Sequence, residues 1–157
     1  MKIFASYLLF ALCLTGCSVN FNQGTPKQTV SDPGDPAERS AAIAAASQFV
    51  QLVDQGNRNE TWPLTGQYLH DNTTQADWET TVGTMRSAVG NLKNRTLVGA
   101  AFTKSINGAP DGHYFFIFYK SQFDRATIEE KVVLNLEGGK WLVAGYFLSD
   151  KTSVKLW

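Results

Sequence analysis

From Arg95 to Leu148 the chain is a succession of segments rich in Val, Ile, Phe and Tyr, broken at short intervals by turn residues. This half of the sequence therefore reads as a sheet. The segments run from Arg95 to Ile106, His113 to Phe123, Thr127 to Glu137 and Lys140 to Leu148. The connections are Asn107-Gly108-Ala109-Pro110-Asp111-Gly112, Asp124-Arg125-Ala126 and Gly138-Gly139, all short enough for antiparallel hairpins. A four-stranded meander has one face to bury, so the residues before Arg95 have to cover it.

Those residues carry helical patterns. Asp35-Pro36-Ala37-Glu38 opens a helix: Asp35 can accept from the first free amides, Pro36 suits the first helical position, and Glu38 can reach back as a capping box. Ala42, Ala45, Phe49, Leu52 and Val53 then share one face, and Gly56 ends the run. A shorter helix holding Trp62 is interrupted by Pro63 and Gly66. Thr74-Gln75-Ala76-Asp77 is a second capping signature, followed by a stripe of Trp78, Val82, Met85 and Val89 that stops at Gly90. The expected fold is α+β, with N-terminal helices packed on a curved four-stranded antiparallel meander.

Strand register separates the faces of that sheet. If Gly138-Gly139 is a two-residue turn, Leu136 opposes Trp141, Leu134 opposes Val143 and Val132 opposes Gly145, all facing the helices. The same parity carried into the second strand turns Phe115, Ile117 and Tyr119 inward. Tyr114, Phe116, Phe118, Tyr146 and Leu148 then fall on the outer face, with Val133 and Ala101. An outer aromatic patch of this kind, made of Tyr114, Phe116, Phe118 and Tyr146, is a candidate interaction face for a protein partner or a second copy. Ordinary cross-strand packing, or cover by the tail from Thr152 to Trp157, would equally account for it.

The first residues have a different character. Lys2 precedes an apolar run from Ile3 to Leu14, the length of a signal-peptide core and too short to span a bilayer. Leu14-Thr15-Gly16-Cys17 resembles the bacterial lipobox, in which cleavage falls between Gly16 and Cys17 and the cysteine thiol carries lipid. The resemblance implies a leader over residues 1–16, a lipidated Cys17 with a tether over 17–34 poor in large apolar groups, and one domain over 35–157. It also implies a membrane partner through Cys17. The implied place is the bacterial cell envelope, and Ser18 after the cysteine directs it to the outer membrane, facing the periplasm, in a bacterium with two membranes. Cys13 leaves with the leader, so no internal disulfide is expected.

Several features resemble one further family. Val53-Asp54-Gln55-Gly56, Trp62, Trp78, Arg86, Gly90, Arg95, Trp141 and Gly145-Tyr146-Phe147 are similar to the pattern of domain of unknown function 4019, found in bacterial exported proteins and lipoproteins. Phe49 departs from it, standing where tryptophan is expected. The resemblance implies a cone-shaped fold like nuclear transport factor 2 or cystatin, in which helices close over the sheet. It transfers no catalytic residue.

The chemistry expected of this chain is sparse. With 14 basic and 14 acidic side chains and no cluster of lysines and arginines, a nucleic-acid partner is not expected. Two histidines, His70 and His113, fall short of a zinc ligand set, so neither a metal nor a cofactor is expected. Glu129 and Glu130 are adjacent in a strand and point to opposite faces, so they cannot work as an acid/base pair. Trp62, Trp78 and Trp141 read as core, and Arg86 beside its helical stripe is placed to pair with Asp54. The expected function is therefore noncatalytic binding in the envelope. The alternatives are a small enzyme or ligand carrier using Tyr119, Glu130 or His113 in a pocket of the cone, and a purely structural envelope protein.

Overall fold

The computed structural model describes residues 32–150. The expected leader, Cys17, most of the expected tether and the tail after Asp150 lie outside the described residues. Within them the order is α1 (Pro36–Gln55), α2 (Arg58–Thr61), a 3-10 turn (Trp62–Leu64), α3 (Gln67–Asn72), α4 (Gln75–Val89), β1 (Leu92–Thr103), β2 (Tyr114–Phe123), β3 (Thr127–Glu137) and β4 (Lys140–Ser149). The strands form one antiparallel sheet in the order β1-β2-β3-β4. No described helix is long and apolar enough to cross a membrane.

The helix starts follow their capping chemistry. Asp35 accepts from the amides of Ala37 and Glu38, and Thr74 accepts from the amide of Asp77. Glu38 does not show the reciprocal capping bond; its Oε1 lies 3.4 Å from His113 Nδ1. Gly56 closes α1 and Gly90 closes α4, as the sequence implies. Pro63 sits within the first turn of the 3-10 segment, where its missing N–H costs nothing, so the chain around Trp62 bends without a clean break.

Helices α1 and α4 lie on one sheet face. Ala42, Ala46, Phe49, Val50 and Val53 of α1 and Trp78 and Val82 of α4 are buried against Phe115, Ile117, Tyr119, Val132, Leu134 and Val143. Phe49 is the wedge, with its ring 6.0 Å from Trp78 and 5.3 Å, edge-on, from Tyr146. Trp78 Nε1 donates to the buried hydroxyl of Thr61 at 3.0 Å, which fixes α2 against α4.

The turn at Gly138 and Gly139 is the two-residue hairpin the sequence implies, with φ of 55° and 78°, and Leu136 pairs with Trp141 and Leu134 with Val143. Beyond that point the register departs from strict alternation. An extra residue, Ala144, is accommodated so that Val133 pairs with Gly145 and Val132 with Tyr146. This β-bulge reverses parity for the rest of β4. Tyr146 and Leu148, expected on the outer face, pack into the inner core, and Gly145 leaves the position opposite Val132 expected for it.

A similar irregularity lies in β1. Leu97 pairs with Tyr119 and Gly99 with Phe118, leaving Val98 unpaired between them, and a further shift separates Leu92 from Asn94. Strand β1 starts three residues earlier than expected because Leu92 pairs with Phe123 and packs beside it. It ends earlier too: Thr103 Oγ1 bonds the carbonyl of Ser105, and the Gly112 amide donates to the Lys104 carbonyl, which closes a loop.

The outer sheet face is covered in part by the chain itself. Thr65 forms a parallel bridge with Val143 on the β4 edge, and Tyr68 of α3 packs with Ile106 and Ala109 over Tyr114, Val133 and Ala144. Tyr114 is consequently 1% exposed, and Phe118, stacked on Phe116, is 7% exposed, although both lie on the outer face as the register implies.

Candidate functional site

The inner face carries a ladder of charge. Asp54, in the last turn of α1, presents both oxygens to two arginines: Arg95 from β1 reaches Oδ2 through Nη1 and Oδ1 through Nη2, and Arg86 from α4 reaches Oδ1 at 3.1 Å. The other edge of the Arg95 guanidinium grips Glu130 of β3, with Nε donating to Oε1 at 2.8 Å and Nη2 to Oε2 at 3.0 Å. Tyr146 of β4 completes the ladder by donating its hydroxyl to Glu130 Oε2 at 2.6 Å. One arginine thus holds two carboxylates in bidentate fashion, a geometry that a lysine cannot reproduce.

The setting is dry. Glu130 is fully buried, and the side chains of Arg95, Arg86 and Asp54 are 12%, 12% and 20% exposed. Ser121 Oγ accepts from Arg95 Nε at 3.3 Å, and the Tyr119 ring lies 5.8 Å from the guanidinium carbon. Burial opposes the charge on Arg95, yet the hydrogen bond and charge of Asp54 and those of Glu130 outweigh it and raise its pKa above the ordinary arginine value. Burial drives the Tyr146 phenol well above its ordinary pKa, and the Glu130 charge and hydrogen bond add to this. The Tyr119 phenol is raised by burial as well, against the bond it shares with Ser47 at 3.2 Å.

The two edge-strand bulges make this arrangement reachable. Arg95 and Ala100 are five apart, and strict alternation would set them on opposite faces, yet the unpaired Val98 lets both face the helices. Likewise Val143 and Tyr146 are three apart and share the inner face because of Ala144. Bulges re-aim side chains in this way at functional and structural sites.

The structure brings together Asp54 and Arg86, as the sequence implies, and adds Arg95, Glu130 and Tyr146, which sequence reasoning did not join to them. Of the residues named for an alternative pocket, Tyr119 and Glu130 both border Arg95. His113 lies elsewhere, edge-on to the Phe102 ring at 5.3 Å and beside Glu38. His70 stacks on Trp62 at 4.3 Å and bonds the Thr65 hydroxyl at 2.8 Å. Among the described residues no group of three or more His, Cys, Asp or Glu is placed to hold a metal.

Of the expected outer aromatic patch, Tyr146 belongs to the inner core, and its place is taken by Phe147, 51% exposed. Lys131 Nζ lies 4.7 Å from the Phe147 ring centre and 6.0 Å from that of Phe116. These three line a hollow of about 260 Å³ on the outer face with Tyr68 and Ile106. A second, more polar groove of about 410 Å³ opens where α1 and α4 end, next to Asp54 and Arg86.

Helices laid across one face of a four-stranded meander, with a buried arginine–carboxylate ladder between the layers, define the chain as a small α+β domain. A family model described as a protein of unknown function, DUF4019, matches residues 45–146, and the chain belongs to that family. The match includes Asp54, Arg86, Arg95, Glu130 and Tyr146. No curated protein matches the chain.

Proposed function

We propose that the chain is a lipid-anchored protein of the bacterial cell envelope whose domain binds a protein or small ligand without turning it over. The anchor reading rests on Lys2, the apolar run from Ile3 to Leu14, and Leu14-Thr15-Gly16-Cys17. Acyl chains on Cys17 would hold the domain at a membrane, since two or more chains make attachment stable. In a bacterium with two membranes, Ser18 favours the outer membrane, with the domain in the periplasm.

The observation that carries the noncatalytic reading is the saturation of the interior carboxylates. Both oxygens of Glu130 and both of Asp54 already accept from Arg95, with Arg86 and Tyr146 taking further positions. A general base needs an oxygen within reach of a substrate proton, and these oxygens face arginine and tyrosine donors instead. What stays open to a partner is the outer hollow with Phe116, Phe147 and Lys131, and the polar groove by Arg86.

Metabolic labelling with a radioactive fatty acid, comparing the natural chain with Cys17→Ser, tests the anchor. Label should enter the natural chain in the membrane fraction and be absent from the variant, which should persist as an unprocessed precursor. Equal labelling of the two would overturn the assignment.

A further inference from the structure

The polar groove differs from the ladder beside it in how its charges are balanced. Asp54 is committed to Arg86 and Arg95, and Asp124 to Lys93 at 3.5 Å and to the Asn91 amide at 3.1 Å. Two exposed arginines on the groove walls are left over, Arg58 at the start of α2 and Arg125 in the β2–β3 turn. Among the described residues neither makes an ion pair with a carboxylate. Arg86, which lines the same groove, keeps its buried Nη1 without a hydrogen-bond partner.

The chain has shaped itself around one of these arginines. Gly83 interrupts the side-chain surface of α4, and a Cβ at that position would collide with Arg58 Nη1, so the guanidinium lies in the notch that glycine leaves. Arg125 is also placed, by a bond from Nη1 to the Ser87 carbonyl at 2.5 Å that leaves the rest of its fork available. That bond, with those from the Arg125 amide to Val89 and the Gly90 amide to Arg86, quiets the carbonyl end of α4, which would otherwise repel an anion.

We propose that this groove recognises an oxyanion, the phosphate or carboxylate group of a soluble ligand, held between the Arg58 and Arg125 guanidinium groups with Arg86 beside them. The inference rests on the reading of the domain as a binding module and supplies the chemistry of what is bound. Planar guanidinium forks match the oxygen spacing of such groups, and two of them on one groove without a carboxylate of their own make a site selective for negative charge. The groove lies at the C-terminal end of α1, about 30 Å along the helix from Pro36. The described chain begins at Asp32, four residues before α1 and so at the end of that helix away from the groove; a soluble anion is the source tested first, with a lipid headgroup as the other arm.

The test is calorimetric titration of the full chain, purified in a nonionic detergent, with inorganic phosphate. Saturable binding at one site is expected, weakened about tenfold or more by Arg58→Gln or by Arg125→Gln. Gly83→Ala keeps every charge and should still weaken binding several-fold by pushing the Arg58 guanidinium aside, whereas Lys120→Gln on the outer sheet face should not change it. Circular dichroism establishes that each variant is folded. Absence of saturable binding, or an equal loss in all four variants, overturns the site. Short-chain phosphatidylglycerol binding more tightly than phosphate through the same arginines would overturn the soluble source and assign the anion to a headgroup; weaker binding supports it. Loss of phosphate binding with fatty-acid labelling intact removes this site alone, and the reverse result removes the anchor alone.

Discussion

Arg95 and Tyr146 stand on opposite edges of the sheet, and both reach the same carboxylate, Glu130 of β3, through hydrogen bonds of 2.8 and 2.6 Å. Each faces inward on a strand whose alternation is broken by an extra residue, Val98 in β1 and Ala144 in β4. The ladder and the two bulges are therefore one structural feature, and substitutions on either should report on the other.

Adjacent positions in β4 test the bulge. Tyr146 is 4% exposed and Phe147 51%. Tyr146→Lys removes the ring packed on Phe49 and puts an ammonium into the core beside the Glu130–Arg95 pair, and should prevent folding, while Phe147→Lys should change stability by no more than about 0.5 kcal/mol. In the regular part of β2, Ile117→Lys should likewise unfold the domain and Phe116→Lys should spare it. Circular dichroism and urea denaturation distinguish these outcomes, and a folded Tyr146→Lys beside an unfolded Phe147→Lys would restore uninterrupted alternation.

Alkaline stability should follow the tyrosines. The folded-state pKa of Tyr146 is raised by burial and then by Glu130, so its contribution is fully present below the unfolded value of about 10 and is lost as pH rises from there through the folded pKa. In that window the unfolded chain releases a proton that the folded chain keeps, at up to about 1.4 kcal/mol per pH unit for each such group. Tyr119 and Tyr114, both raised chiefly by burial, act in the same direction. Urea midpoints measured from pH 9 to 11 should fall less steeply for Tyr146→Phe than for the natural chain, and an unchanged slope would contradict the shift.

Much of this architecture was legible in the residues. Capping at Asp35 and Thr74, the stripe from Trp78 to Val89 and the glycine pair at 138 and 139 set the helices and the last hairpin, and helical spacing placed Arg86 near Asp54. Alternation also set Glu129 and Glu130 on opposite faces, though it read the pair as one exposed and one rim residue, whereas Glu130 is fully buried. The face assignments in β1 and β4 failed at one kind of event, because a period-two pattern holds only until a residue is inserted, and an insertion leaves no mark on alternation itself. The available signal was an isolated glycine inside an apolar strand, since Gly99 follows Val98 and Gly145 follows Ala144 at the two bulges. The cover over Tyr114 was hidden for a different reason: Tyr68 and Ile106 reach it from outside the sheet, and strand periodicity carries no information about them.

The most direct test of the ladder is a double-mutant cycle on Arg95 and Glu130. Arg95→Met leaves Glu130, which is fully buried, with only the Tyr146 hydroxyl and no charge partner, and Glu130→Met leaves half of the Arg95 fork unmatched. Breaking a buried pair from one side costs about 3–5 kcal/mol, whereas replacing both partners with apolar groups of similar volume is far less costly. Asp54 still pairs with Arg86 when Arg95 is gone, so the double variant should remain folded. Urea denaturation of the four proteins should give a double variant at least as stable as Arg95→Met alone, with a coupling energy of about 2 kcal/mol or more. Additive losses from the two substitutions would contradict the account, because they would mean that Arg95 and Glu130 do not depend on each other.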